Sequence, residues 1–265
     1  SAILSAEDST SYPGVTKSTA EGGLGFDYKW DMGWMNDTLE YFRTAPQYRT
    51  RDYHKLTFSM HYFYSDSFLL PLSHDEVVHG KATILQKMHG EYEEKFPQAR
   101  ALYMYMYAHP GKKLNFMGNE FGQLREWDEK REQDWDILKY PIHDAFHRFM
   151  KDLNRLYLKH PSLSSCDYVP EGFSWLDCHQ EERCIYAFLR TDGKERIAAV
   201  FNLSDQVQEG YRLPVKGTAQ ASILLASDME EYAGGRKYED LELAADDGAI
   251  QLDLSPYSAL YLLLQ

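Results

Sequence analysis

The sequence predicts an α/β fold, namely the C-terminal half of a (β/α)8 TIM barrel over residues 1–161, followed by an antiparallel β-sandwich over residues 162–265. Up to Pro161, short apolar runs alternate with helical stretches. After that residue the pattern changes to short β-rich runs separated by turns. A complete barrel takes about 250 residues. Because the first part has room for only four strands, we expect half a barrel.

Four strands are predicted in the first part, and polar or charged residues follow each of them. The strands are Ala2–Ala6, Phe26–Trp30, Phe68–Leu72 and Lys113–Met117. In a barrel of this class the strand ends and the loops after them carry the chemistry. The chain opens directly into the first strand, without an initiator Met or a signal peptide. We therefore expect that the sequence is a fragment.

Helices are predicted between and after these strands. They are Met35–Arg43, Asp52–Tyr62, Pro97–Ala108 and Pro141–His160. The last helix begins with a proline and stops before Pro161, and its apolar residues recur at helical spacing.

The second part contains seven predicted strands. They are Phe173–Leu176, Cys184–Arg190, Ile197–Leu203, Tyr211–Leu213, Ala221–Leu225, Ile250–Leu254 and Ala259–Leu264. Turns such as Thr191-Asp192-Gly193 separate them. Short strands at this spacing are typical of an antiparallel sandwich.

Composition narrows the function classes. The net charge is −13, from 28 basic and 41 acidic residues, and this argues against nucleic acid and anionic membranes as partners. No apolar run approaches the roughly 20 residues of a membrane span. Cys166, Cys178 and Cys184 cannot all pair with one another and lack zinc spacing, so we expect reduced thiols in a cytoplasmic protein. The 20 Tyr, 13 Phe and five Trp fit either ordinary core packing or stacking on sugar rings.

Glu7 is the first candidate catalytic residue. It lies directly after the first predicted strand, in the run Ala6-Glu7-Asp8-Ser9-Thr10. Partial burial and neighbouring carboxylates would raise the pKa of such a glutamate, and it could then act as general acid and afterwards as general base at a glycosidic oxygen. The structural alternative is a helix N-cap formed by Asp8 or Ser9.

His74 and Asp75 form the second candidate site, after the third predicted strand. Both side chains could hydrogen-bond sugar hydroxyls, and the charge of Asp75 would favour an oxocarbenium-like transition state. A purely structural His-Asp pair is the alternative. Trp30, Asp31 and Met32, after the second strand, form a third candidate, since an aromatic cluster at a strand end can bind glucose units. Core packing is the alternative for that cluster.

Four runs of the sequence resemble the glycogen branching enzymes of the α-amylase superfamily. The runs are AEDST, GGLGFDYKWDMGWMNDTL, LLPLSHDEVVHGK and KKLNFMGNEFGQ. They are similar to the fifth to eighth barrel strands of those enzymes, and the last helix and the sandwich are similar to the end of the barrel and to the C-terminal domain. The resemblance implies retaining transglycosylation, in which an α-1,4 linkage of glycogen or amylose is cleaved and the chain is transferred to a 6-hydroxyl to form an α-1,6 branch. No cofactor or metal is implied.

The resemblance also implies residue roles. Glu7 matches the general acid/base, Asp75 the acid that stabilises the transition state, and His74 a neighbouring hydroxyl ligand. The nucleophilic Asp of the family follows the fourth strand, which precedes the region matched here. Asp27 and Asp31 are the nearest acids, and nothing in the sequence assigns that role to either. We therefore expect the chain to be inactive alone and to need an N-terminal half.

Two other functions remain open at this point. The chain could derive from a hydrolase of the same superfamily, such as a debranching or trehalose-releasing enzyme. It could also be a non-catalytic glucan-binding fragment. New α-1,6 linkages, released reducing sugar, or binding without turnover would distinguish the three.

Overall fold

A computed structural model describes residues 2–265. The α-helices are α1 (Met32–Arg43), α2 (Arg49–Asp52), α3 (Lys55–Phe58), α4 (Ile84–Lys87), α5 (Lys95–Ala108) and α6 (Pro141–Lys159). The strands are β1 (Ser5–Ala6), β2 (Tyr28–Trp30), β3 (Phe68–Leu72), β4 (Lys112–Asn115), β5 (Phe173–Gln180), β6 (Ile185–Thr191), β7 (Arg196–Asn202), β8 (Gln208–Pro214), β9 (Gln220–Ala226), β10 (Glu242–Ala244), β11 (Ala249–Leu254) and β12 (Ser258–Leu264). Short 3-10 helices connect several of them, and the one at His74–Val77 follows β3 directly.

Strands β1 to β4 form one sheet in chain order, and every adjacent pair is parallel. The carboxyl ends of all four strands therefore lie at the same edge. The first predicted strand is wrong in extent and in burial: only Ser5–Ala6 forms β1, and Ile3 and Leu4 are 74% and 55% exposed. The reason is that β1 is an edge strand among the described residues, so nothing covers these two side chains on its outer side.

Two helices differ from the prediction for identifiable reasons. Helix α1 begins three residues earlier than predicted because the Asp31 side chain accepts a hydrogen bond from the backbone of Trp34 and caps the helix. The predicted helix Asp52–Tyr62 is right in part but is not one continuous helix: α2 ends at Asp52, α3 covers Lys55–Phe58, and a 3-10 helix follows at Ser59–His61. The Tyr53 ring stacks on Tyr186 at 4.2 Å, and these contacts between distant segments override local helical preference.

The second part is all-β and antiparallel. A six-stranded sheet in the order β10-β9-β12-β7-β6-β5 packs against the two-stranded sheet β11-β8 over an apolar core. All seven predicted strands are present with shifted bounds. Strand β10 was not predicted because it is only three residues long and contains one large apolar residue, Leu243, so no apolar alternation marks it.

One core of buried side chains runs from the parallel sheet into the sandwich. Helix α5 lies between them and is buried on nearly every side. The Tyr105 ring packs edge-on against Phe201 at 5.9 Å, and the Tyr261 hydroxyl donates to the backbone oxygen of Met104. The two parts are thus joined by extensive packing, and the predicted division at residue 161 stays a prediction.

Candidate active site

The carboxyl edge of the parallel sheet gathers the polar residues that the sequence singled out. Glu7 follows β1, Asp31 follows β2, and His74 and Asp75 follow β3. Asp27, by contrast, precedes β2 and therefore lies at the opposite edge, where its carboxylate accepts a hydrogen bond from the Leu4 backbone at 2.8 Å. This geometry separates Asp27 from the other acids.

Glu7 is exposed, so the expected partial burial is wrong in this structure. The segment after it is fixed by Lys29, a buried residue of β2. The Lys29 ammonium lies 3.1 Å from the Asp8 carboxylate and donates to the Thr10 backbone oxygen at 2.9 Å. Hydrogen bonds from the Thr10 backbone and from Lys29 lower the pKa of Asp8. Asp8 thus helps to fix the loop through Lys29, and Glu7 is the exposed acid of this run.

Asp31 is buried, with 1% of its surface exposed. Its Oδ1 accepts hydrogen bonds from the Trp34 backbone at 2.8 Å and from the Tyr62 hydroxyl at 2.7 Å. Its Oδ2 has no partner among residues 2–265. Burial raises the pKa of Asp31 to about 6. The carboxylate therefore caps α1 and anchors Tyr62, which gives a structural account of a residue predicted to bind substrate.

The aromatic run divides between the core and an open cavity. Trp34 is 1% exposed and stacks on Tyr105 at 6.2 Å. Trp30 is half-buried and, with Met32 and Tyr12, lines a cavity of about 380 Å³. Trp34 therefore follows the core-packing alternative, whereas sugar binding by Trp30 and Met32 stays a prediction.

His74 and Asp75 begin a 3-10 helix whose N-terminus carries a capping box formed by Ser73 and Glu76. The Ser73 hydroxyl accepts from the Asp75 backbone, and the Glu76 carboxylate accepts from the Ser73 backbone at 2.7 Å. This capping box fixes the direction in which the chain leaves β3. The Asp75 carboxylate is half-exposed and lies 2.7 Å from the Lys81 ammonium, whose hydrogen bond lowers the pKa of Asp75.

Two cavities open on either side of Asp75. One of about 900 Å³ is lined by Met32, Met35 and Lys81, together with other residues of α1 and of the segment after β3. The other, of about 450 Å³, is lined by His74 and Trp127. An ionised acid that lines two open cavities at a strand end can bind polar groups of a ligand in either of them.

The chain is 45% identical over 97% of its residues to the 1,4-alpha-glucan branching enzyme GlgB of Aquifex aeolicus (strain VF5). It is also 47% identical over 88% of its residues to the enzyme of that name from Bacillus cereus (strain G9842). Almost the whole chain is thus similar in sequence to a part of these 1,4-alpha-glucan branching enzymes. It spans 42% and 36% of the length of these two relatives.

Two further comparisons concern the fold. Residues 175–265 match the alpha amylase C-terminal all-beta domain. A solved Anoxybacillus alpha-amylase superposes on 99% of the chain and 52% of its own length, with a TM-score of 0.59 and 14% identity. At that identity the likeness concerns the fold alone.

The sequence analysis did not identify two basic residues of the candidate site, Lys29 and Lys81. Lys29 orders the loop after β1, and Lys81 pairs with Asp75. For Lys29 the available signal was its position between two aromatic residues of β2. Nothing in the sequence indicated a role for Lys81, because its contact with Asp75 depends on the backbone conformation of the turn at residues 79–82.

The structure also describes the three cysteines and the length and polarity of the helices. Cys166, Cys178 and Cys184 are all unpaired, as expected. Within residues 2–265 every helix is too short or too polar to cross a membrane.

Proposed function

We propose that this chain supplies Glu7, His74 and Asp75 to the active site of a 1,4-α-glucan branching enzyme of the cytoplasm. The observation that carries the proposal is the position of these residues at one edge of a parallel sheet, in a chain 45% identical to such an enzyme over 97% of its length. The substrate would be an α-glucan such as glycogen or amylose.

The proposed framework is the second half of a (β/α)8 barrel, followed by the sandwich. Four parallel strands in chain order, connected through helical segments, support this assignment. The strand ends of such a barrel are the usual place for catalytic residues. The division into residues 1–161 and 162–265 belongs to the same proposal.

In the proposed mechanism, Glu7 protonates the oxygen of the α-1,4 linkage that is cleaved, and then removes the proton from the 6-hydroxyl of an acceptor glucose. Asp75, held ionised beside Lys81, stabilises positive charge as it develops on the sugar ring. His74 hydrogen-bonds a sugar hydroxyl next to the cleaved bond. The aromatic and thioether groups of Trp30 and Met32 would contact sugar faces, whereas the burial of Asp31 favours a structural role.

Retention of configuration requires a second carboxyl group, a nucleophile about 5–5.5 Å from the general acid/base. Within the described residues, Asp31 is committed to capping α1 and Asp27 lies at the far edge of the sheet. We propose that the nucleophile comes from the N-terminal portion that the longer relatives possess. The complete site would then be assembled from both portions.

A fused protein tests this function. The N-terminal portion of the A. aeolicus enzyme, up to the region that this chain matches, is joined to the 265 residues and incubated with amylose. We expect new α-1,6 linkages in the NMR spectrum without a matching rise in reducing ends. Release of reducing sugar alone would identify a hydrolase, and binding by a folded fusion without turnover would identify a glucan-binding protein; either result would overturn the proposal.

A further inference from the structure

A turn beside Asp75 is held in an unfavourable backbone conformation. His79 and Ala82 have φ angles of 57° and 66°, in the left-handed region, and Gly80 between them has a φ of 78°. Such a conformation is unfavourable for any residue other than glycine and persists only where the surroundings impose it. The segment 79–82, here called the strained turn, must therefore be held by other groups.

Glu126, in the loop after β4, is the first of these groups. Its two carboxylate oxygens accept separate hydrogen bonds from the backbone of Gly80 at 2.9 Å and of Ala82 at 2.7 Å. Hydrogen bonds to an ionised acceptor are roughly twice as strong as those between neutral groups. The two backbone bonds lower the pKa of Glu126, so the side chain is charged at neutral pH.

Lys87 holds the other side of the strained turn. It is 6% exposed, and its ammonium donates to the backbone oxygens of Lys81, at 2.7 Å, and of Ala82 and Glu76. Its three donors are all used on backbone oxygens. Lys87 therefore ties the strained turn to the 3-10 helix that carries Asp75.

The contacts of Glu126 and Lys87 hold the turn so that the Lys81 side chain lies beside Asp75. Its ammonium lies 2.7 Å from one oxygen of Asp75, and each side chain of the pair is nearly half exposed, at 47% and 45%. The ammonium has three donors, and Asp75 is its one hydrogen-bond partner among residues 2–265. Lys81 and Asp75 both line the 900 Å³ cavity, so the remaining donors are open to a ligand there.

On the basis of the function proposed above, we propose that Lys81 is a saccharide-binding residue of this site and that Glu126 positions it through the strained turn. A pair of neighbouring hydroxyls on one glucose unit needs both a donor and an acceptor. The Lys81 ammonium would donate to one hydroxyl oxygen, while the Asp75 carboxylate accepts a hydrogen bond from the other. The apolar side chains of Met32 and Met35 in the same cavity would contact the ring.

Kinetics of the fused enzyme test the binding role. Lys81→Met should raise KM for amylose about tenfold, as expected when a hydrogen bond to a charged group is lost, and Lys81→Arg should recover part of the loss. Lys130→Met, at an exposed lysine in the loop after β4, is the matched control and should leave KM unchanged. An active fusion whose KM is unaffected by Lys81→Met would overturn the binding role and leave the branching function intact.

A titration of the 265-residue chain tests the positioning role without activity. The pKa of the Asp75 carboxyl, followed by carbon NMR, should rise in Lys81→Met because the cation is gone. It should also rise in Glu126→Gln, in which Lys81 is intact but the turn loses one of its two acceptors. Glu132→Gln, the same charge change in the same loop, is the control. If Glu126→Gln leaves the Asp75 titration unchanged, the positioning role is wrong, whether or not the fused enzyme branches.

Discussion

At the scale of single residues, the proposed chemistry depends most on Glu7. In the fused enzyme, Glu7→Gln keeps the shape of the side chain and removes its proton transfer. General acid–base catalysis typically contributes 10² to 10⁴-fold, so we expect a loss of kcat in that range with little change in glucan binding. Glu21→Gln, an exposed glutamate in the loop before β2, serves as the control. Near-normal branching by Glu7→Gln would remove Glu7 from its assigned role.

Asp31 leads to a prediction about pH. Its pKa in the folded chain is about 6, above the ordinary value of 3.8, because burial disfavours the charge. The folded state therefore binds more protons than the unfolded state between these values, and Asp31 makes folding less favourable as pH rises through that window. Asp31→Asn removes this dependence. Relative to the unmodified chain, its free energy of unfolding should increase by roughly 2–3 kcal/mol from pH 4 to pH 7.

Urea unfolding at the two pH values measures this difference. The Asn side chain of the variant would accept the hydrogen bonds from Trp34 and Tyr62 less well than Asp31 at either pH. The difference between pH 4 and pH 7 removes this constant contribution. If the two proteins differed in free energy of unfolding by the same amount at pH 4 and at pH 7, the Asp31 carboxyl would have an ordinary pKa and would not be buried as described.

The sequence located Glu7, His74 and Asp75 because each follows a strand directly, and the strand ends of a parallel sheet meet at one edge. It could not foresee the burial of Asp31, which depends on Tyr62, 31 positions later. The strained turn was equally hidden, since Glu126 is more than forty positions from Gly80 in the chain. Local pattern thus identified residues at strand ends, while contacts between distant segments decided what each does.

At the scale of elements, the same distinction applies. Strand β3 was predicted with its observed bounds because it is apolar, buried and bordered by polar residues. The first strand was overestimated since hydrophobicity alone does not reveal a sheet edge, and Ile3 and Leu4 lie exposed there. The helix predicted at 52–62 is not continuous because the buried contacts of Tyr53 break it.

The junction between the parallel sheet and the sandwich contains a buried ionic cluster. Asp167 is 1% exposed and lies 2.8 Å from both Arg190 of β6 and Lys112 of β4. Burial alone would raise the pKa of Asp167, but the charges of Lys113, Arg190 and Lys112 outweigh it and lower the pKa. The stabilisation is therefore present at neutral pH and lost as pH falls through that lowered value.

We expect Asp167→Asn to lower the free energy of unfolding at pH 7 by about 3–5 kcal/mol, because it leaves buried cations without their partner. Asp136→Asn disrupts an exposed pair with Lys139 and should cost at most about 1 kcal/mol. Urea unfolding of the three proteins at pH 7 makes the comparison. Equal stabilities for the two variants would contradict the view that Asp167 joins the two parts.

At the scale of the whole molecule, the sheet and the sandwich share one core and Glu7, His74 and Asp75 face one edge. The chain spans 42% of the length of its A. aeolicus relative. We propose that the remaining portion provides the nucleophile and the neighbours of β1 and β4. An edge of parallel strands with exposed apolar side chains such as Ile3 favours association with such a partner.

The most direct measurement mixes the 265-residue chain with a separately produced N-terminal portion of the A. aeolicus enzyme and counts α-1,6 linkages formed on amylose. We expect no new linkages with either piece alone, new linkages with both, and a drop of 10² to 10⁴-fold when the chain carries Glu7→Gln. Branching by the chain alone would contradict the proposed division of the active site, because a carboxylate within these residues would then have to act as nucleophile. A folded complex of the two pieces that forms no branches would contradict it as well.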